Sequence, residues 1–581
     1  MSFGIQIGTE YLDLPPDTSL ELESDNPFLQ FADGVVGKFS LPIEVRATPK
    51  NVRLLGYASV LQQKVNNTGI DAIVINKSQQ TRGKIKIERA NINLNRPGAG
   101  SISIFFLTDA SYFASEANNI RLRDINVGGD RTFAGGPPDG LLNSEFGEHV
   151  NAVLNAAPGS YDYAFYPVFN SLWGEDGLNG IPRDTMNQIF ANISTGIAEI
   201  VQGPIVPFPY LKYVLLKAVE HVGWRIQGDI LDDPDFEKIT MINFRSIDWG
   251  YVISISFGKI FQIHDTVTFN LQDHLPDLSV SEFLLELQNR FAWWYDFDSV
   301  SKTIYIKKRK DLVTLTQRDM TRYASPLIPK KVLQDSRVYA LKNSFVTGGG
   351  EGIDLTKVDY QGEVDKVSDL PTAAEAMVNH VYLVIEENNF YICIQNYDDE
   401  SWSWEIHSAN IYDYLPAGYN EEITTKATTV EMVRKDDYMD LIPRVDSPGI
   451  WTGVDGETPW GIHLCFFFGL RENKEGDEVP FASHHIYDST GVKLADWSLA
   501  FKAKKIDGSE VGLYDLEWKP FIDLFENAEE FEATLFLPYH EYLKIHFSDT
   551  IVISNTKMFI SKLNSAIPYQ GQVKVEAIRI L

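Results

Sequence analysis

The chain has 581 residues, and its 80 Asp and Glu against 51 Lys and Arg give a formal net charge of −29. At roughly 150 residues per domain this is too much chain for one core, and three to five units are expected. A hydrophobic content of 44%, with 12% aromatic, belongs to a chain that buries cores and excludes a disordered one. The acidic balance works against tight nucleic-acid binding, which needs Lys and Arg to displace counterions from phosphates. No run of about 18 apolar residues occurs, so no membrane-spanning helix is expected. Residues 1–10 lack the basic and apolar regions of a secretory signal. The two cysteines, Cys393 and Cys465, each lie in an apolar run. They are expected as buried free thiols, and their number excludes a disulfide framework or a Cys-based zinc site.

In chain order, Phe39, Leu41, Ile43 and Val45 alternate with polar residues, the period of a half-buried strand. Thr48-Pro49 supplies a helix N-cap and an N1 proline, and strands are expected at 71–76, 84–94 and 101–107. Residues 1–124 thus read as a β-rich unit. Residues 125–209 are broken by Gly128-Gly129, Gly135-Gly136-Pro137-Pro138 and Gly203-Pro204, and read as a loop-rich insertion with one helix over 184–201 and few buried apolar faces. Residues 210–324 read as an α/β module of two helix–strand units. In the first, Leu211, Val214, Leu215, Ala218, Val219 and Val222 form a helical stripe ended by Gly223. In the second, Ser279 and Glu282 make a capping box before the stripe Val280, Phe283, Leu284, Leu287 and Phe291. A hairpin of Trp293–Phe297 and 303–308 follows, turning at Asp298-Ser299. Residues 325–440 again read as β, with a hairpin around Asn388-Asn389 and a strand carrying Trp402 and Trp404. Residues 441–581 read as an α+β module with a helix bearing Trp518, Phe521, Ile522 and Phe525, then strands at 531–537, 551–554, 558–563 and 573–581. The fold class expected is α+β, a β-rich multidomain chain with small helix-plus-hairpin modules.

Motifs for chemistry are weak. Gly348-Gly349-Gly350-Glu351-Gly352 has no lysine to reach a phosphate. His540-Glu541 lacks a second histidine one helical turn on. His484-His485, as neighbours in a strand, would point to opposite faces. Asp229, Asp232, Asp233 and Asp235 lack the spacing and central glycine of a calcium loop and read as a solvated turn. The sequons at Asn66 and Asn192 mean little without a secretory signal. No catalytic, cofactor-binding or metal-binding residue is assigned, no cofactor is expected, and the chain reads as no enzyme.

Four stretches resemble one family, the hub or tail-associated (baseplate hub) proteins of tailed bacteriophages. They are Phe39-Ser-Leu-Pro-Ile with Thr48-Pro-Lys-Asn-Val-Arg-Leu-Leu-Gly56; the helix, aromatic strand and basic hairpin over 280–308; the hairpin over 381–394; and Gly512-Leu-Tyr through Phe521 with the closing strands over 551–580. The resemblance covers about two-thirds of the chain in the family's order, and each stretch carries packing rather than chemistry. It implies a virion protein made in the host cytoplasm, a hub at the distal end of the tail that joins tail tube to baseplate or tip. It further implies a homotrimer in which two tube-like β-barrel domains per subunit, near 1–112 and within 325–440, build a pseudo-sixfold ring. Implied partners are the tail tube, distal tail proteins and tail fibre or tip proteins, without integral membrane contact. An acidic wall would let DNA pass through the lumen without specific binding. Two other readings are the hub of a contractile injection system and a carbohydrate-binding tail-tip protein, the latter suggested by Trp402, Trp404, Trp451 and Trp460.

Overall fold

The computed structural model describes, with short gaps, residues 3–26, 39–57, 69–134, 145–170, 185–192, 197–200, 204–332, 339–343, 359–374, 380–384, 389–395, 402–408, 421–434, 441–445, 461–472 and 478–579. The architecture is α+β and β-rich, with several sheets around short helices. In the largest, of 14 strands, Glu10–Tyr11, Phe3–Ile7, Ile70–Asn76, Gln79–Asn91, Ser101–Thr108, Phe39–Ser40 and Leu20–Asp25 lie side by side. The order then continues without a break into Thr556–Ile567, Val573–Arg579, Glu529–Leu535 and Ile328–Val332. Strands from opposite ends of the numbering therefore share one sheet.

The N-terminal half of that sheet forms because alternate residues are apolar. Ile5, Val74, Ile85, Ile102, Ile104 and Phe106 point to one side and pack with Leu12, Leu20, Val45 and Leu55. The helix Pro49–Leu54 closes this core as expected, with the Thr48 hydroxyl accepting from the Asn51 amide at 3.2 Å. Asn51 is buried, and its side chain donates to the carbonyls of Asp13 and Arg46, each at 2.9 Å, tying the helix to two loops. Gly83 has to be glycine, since a Cβ there would lie 2.0 Å from the Leu107 carbonyl oxygen.

The C-terminal half has its own core of Leu535, Leu537, Ile551, Ile553, Met558, Ile560, Val573 and Val575. The two halves meet where Leu20–Asp25 runs antiparallel to Thr556–Ile567, in register from Leu20 opposite Ile567 to Asp25 opposite Lys562. Asn26 finishes this seam: its amide donates to the Ser561 carbonyl at 2.8 Å and its buried Nδ2 to the Ile560 carbonyl at 2.5 Å.

The largest core lies between, in a helical and mixed region. The helices Leu211–His221 and Val280–Phe291 have the expected stripes buried. Ser279 and Glu282 form the capping box, and Ala292 ends the second helix in the left-handed conformation at φ 51°. The strands Trp293–Asp298 and Thr303–Lys308 pair as a hairpin, and Arg225–Gln227 adds parallel to the latter. A π-helical turn, Tyr514–Trp518, leads into the helix Lys519–Phe525 and buries Trp518 and Phe521 in the same core. Ile462–Glu472, buried along most of its length, is the central strand for Ile239–Ile242, Ala427–Thr428 and Glu478–Ser483.

Two expectations for 125–209 are corrected. In place of a helix over 184–201, the strands Thr185–Met186, Ile189–Asn192 and Ile197–Ile200 occur, the last two antiparallel. Ser194-Thr195-Gly196 between two short apolar runs is a hairpin signal that outweighs helical spacing. Nor is the segment poor in buried faces. The helix Glu145–Asn155 sends Phe146, Val150, Val153 and Leu154 into the main core. Ala164, Tyr166, Val168, Val206 and Phe208 form a second core with Phe244, Cys465 and Phe467. The glycines and prolines punctuate this segment without emptying it of core.

Beyond the shared sheet, Asp359–Val364, His380–Val384, Asn389–Gln395 and Trp402–Ser408 form a four-stranded sheet, and Tyr339–Asn343 pairs parallel with Glu421–Thr425. The expected hairpin pairs Val384 with Asn389, while its turn, residues 385–388, lies outside the described residues. So do residues 348–352, Asn66, Trp451 and Trp460.

Candidate assembly surface

The residues singled out for chemistry disperse. His484 and His485 are corrected: they follow the strand Glu478–Ser483 instead of lying within it, and their rings sit 4.1 Å apart. His484 is fully buried, and burial with its neighbour's charge pulls its pKa well below the ordinary histidine value. The acidic turn is also corrected in part, because Asp235 is buried. It accepts from Lys238 Nζ at 2.7 Å and from the Asp496 amide at 2.6 Å, while Asp233 caps the Asp235 amide at 2.8 Å. His540 and Glu541 pair with each other at 3.4 Å on the surface. Cys393 and Cys465 are buried free thiols, as expected. Trp404 donates its indole N–H to the Pro371 carbonyl at 2.6 Å. Among the described residues no group of three or more His, Cys, Asp and Glu is placed to hold a metal.

One arrangement has the outline of a reactive set. His149 Nε2 and the Tyr163 hydroxyl are 2.6 Å apart, with Arg131 over the Tyr163 ring at 4.7 Å and bonded to Asp162 at 2.6 Å. Burial pushes the Tyr163 phenol up to about 12 and holds the His149 imidazole below its usual range. Both groups are therefore neutral near pH 7, and the pair is a partly buried hydrogen bond inside a packed aromatic group that includes Phe133 and Phe269.

The more consistent features are surfaces and joints. On the seam, the two-residue alternation that buries Val573 and Val575 turns Glu21, Glu23, Asp25, Lys562, Lys574, Glu576, Glu530 and Glu532 to the opposite face. Six acids thus stand against two lysines. Lys562 bridges Glu23 and Asp25, and Lys574 pairs with Glu532 at 2.9 Å. Partial burial, with Glu576 beside it, raises the Asp25 carboxyl above its ordinary range. Farther along the same face Phe559 and Ile578 join the main core, so the helical region covers one end of this face.

Two partly buried ion clusters fix the helical region to the strands. Glu116, on the helix Ala110–Ala117, accepts from Trp224 Nε1 at 3.1 Å and lies 3.5 Å from Lys84 and 3.7 Å from Lys302. Both lysines sit over the Tyr112 ring. Glu517 accepts from Lys308 at 3.1 Å and Lys310 at 3.0 Å. Between those lysines the buried Arg309 donates to the Trp293 carbonyl and lies over Trp518 and Phe521. Glu116 is far in sequence from Lys84, Trp224 and Lys302, and Glu517 is far from Lys308 and Lys310, so no local pattern announces either contact.

No protein-family model matches the sequence, and no curated protein matches it. Solved structures similar to this chain include the 43 kDa tail protein of prophage MuSo2 from Shewanella oneidensis, at TM-score 0.34 and 6% identity over 100% of this chain and 98% of that one. Prophage tail protein gp18 from Listeria monocytogenes EGD-e gives 0.31 and 7%, over 100% and 94%. A tail protein from Neisseria meningitidis MC58 gives 0.26 and 7%, over 99% and 96%. Scores of this size are too low to carry a function from those proteins to this chain.

Proposed function

We propose that this chain is a non-catalytic structural subunit of a bacteriophage tail, a homotrimeric hub at the distal end that joins the tail tube to the baseplate or tip. The observation that supports it most is the shared sheet. Two β units, each with its own core, lie side by side in one chain and are joined strand to strand at Leu20–Asp25 and Thr556–Ile567. Three such chains would present six β units, the number needed to meet a sixfold tube. In this reading the second unit is the C-terminal one, built from 317–332 and 529–579, in place of the segment 325–440 that the sequence suggests. The acidic face of the seam suits a wall past which DNA moves without sticking.

The test is assembly. Light scattering of the purified chain with its tail-tube protein should give three copies per hub, and electron microscopy should place the ring at the tail's distal end. A stable monomer under those conditions, or density elsewhere in the virion, would overturn the proposal.

A further inference from the structure

Among the described residues, the strands Gly250–Ile255 and Gly258–Ile263 pair with each other and with no third strand. Their turn, 256–257, lies outside the described residues. The base of this hairpin is fixed. The His264 amide donates to the carbonyl of the buried Trp249 at 3.1 Å, and His264 Nε2 lies 2.9 Å from Asp248 Oδ1. By register, Tyr251, Ile253, Ile255 and Ile260 fall on one face, and Val252, Phe261 and Ile263 fall on the other with Ser254 and Lys259. Two strands alone are marginal in water, and apolar strands with open edges are surfaces that proteins cover or blunt. The segment 250–263 has no proline and one charge, Lys259, to blunt it.

Charge indicates the partner. The chain carries −29, and 23% of its residues are charged, so a segment of this length would hold about three charges where this one holds a single lysine. Two copies repel each other over most of their surfaces and meet at least cost where the chain is nearly neutral. The edges agree. The two strands run antiparallel, so a threefold axis along them sets Gly258–Ile263 of one copy antiparallel to Gly250–Ile255 of the next. The third copy closes the ring and leaves no edge open. A twofold axis across the strands would leave two edges open. We propose that this hairpin is the contact through which copies of the chain join, three hairpins forming a closed ring with the face of Ile253, Ile255 and Ile260 turned inward. The proposal rests on the trimer reading and adds the joint that holds the trimer.

In such a ring Ser254 of neighbouring copies would stand two strands apart, about 10 Å. Cys393 and Cys465 are buried, so a bismaleimide of that span, added to the full-length Ser254→Cys chain, reports on the new thiol. It should give covalent dimers within the trimer, and Val492→Cys, which is exposed elsewhere on the chain, should give none. Ile260→Lys would gather three like charges inside the ring, and sedimentation should show self-association weakened at least about tenfold. A thermal midpoint near that of the parent would show that this variant folds, and should it misfold, Ser254→Cys decides alone. Three outcomes would overturn the proposal and leave the trimer reading standing: a trimer whose Ser254→Cys chains do not cross-link, equal cross-linking of Val492→Cys, or a folded Ile260→Lys chain that assembles like the parent. A chain that sediments only as a monomer with the tail-tube protein present would overturn both.

Discussion

Single buried histidines contribute to the acid response of this protein. His274 is enclosed, with Nδ1 3.0 Å from Asn243 Oδ1, and burial together with the nearby Arg245 charge lowers its pKa to about 3. His463, 3.1 Å from the Thr428 hydroxyl, is lowered by burial to about 4. In the unfolded chain both would titrate near 6.5. On acidification the unfolded state takes up these protons first, so stability is fully present above pH 6.5 and falls as the pH drops toward 4 and then 3. Each group contributes a slope of up to ~1.4 kcal/mol per pH unit in its window. Denaturant titrations between pH 7 and 4 should show this loss, and a folded His463→Gln chain should show a shallower one. A slope unchanged by that substitution would remove His463 from the account. At the joints, Glu116→Gln should weaken the contact between the Ala110–Ala117 helix and both lysines. Because Glu116 is mostly buried, accepts from Trp224 Nε1 and lies within ion-pair distance of both lysines, a loss of about 1–3 kcal/mol is expected by chemical denaturation.

At the level of elements, local punctuation was the readable part of the sequence. Thr48-Pro49, the Ser279/Glu282 box, Gly223 and the aromatic hairpin after Phe291 each specify an element through bonds among near neighbours, and each stands where expected. What could not be read was pairing at long range. Phe3–Ile7 and Leu20–Asp25 are short strands whose partners are Ile70–Asn76 and Thr556–Ile567, and nothing in their own residues specifies those partners. The joints at Glu116 and Glu517 were illegible for the same reason. The helix Val280–Phe291 gives a graded test. Leu284 and Leu287 are fully buried, and Leu287→Ala should cost about 2–5 kcal/mol through lost burial and a residual cavity. Ser279→Ala removes the side-chain half of the capping box and should cost about 1 kcal/mol. Equilibrium unfolding of the two variants should preserve that order, and the reverse order would mean that the helix is anchored by its end and not by its face.

The whole molecule hangs on the seam. If the two β units are coupled through it, Glu23→Pro, which deletes a ladder N–H in the middle of a central strand, should uncouple them. Calorimetry should then resolve separate transitions for the two β cores where the parent melts them together, and an unsplit profile would show that the helical region couples them instead. The seam also has a consequence in time. Asn26 bonds to Ile560, 534 residues later, and a ribosome adding roughly 5–20 residues per second reaches that partner only after roughly half a minute to two minutes. Through that interval the strand Leu20–Asp25 presents an unpaired backbone edge, the kind of surface on which nascent chains aggregate or trade strands with one another. Translation that stops short of residue 556 leaves the edge open for good. Such fragments should therefore call on chaperones and proteases far more heavily than their missing mass suggests.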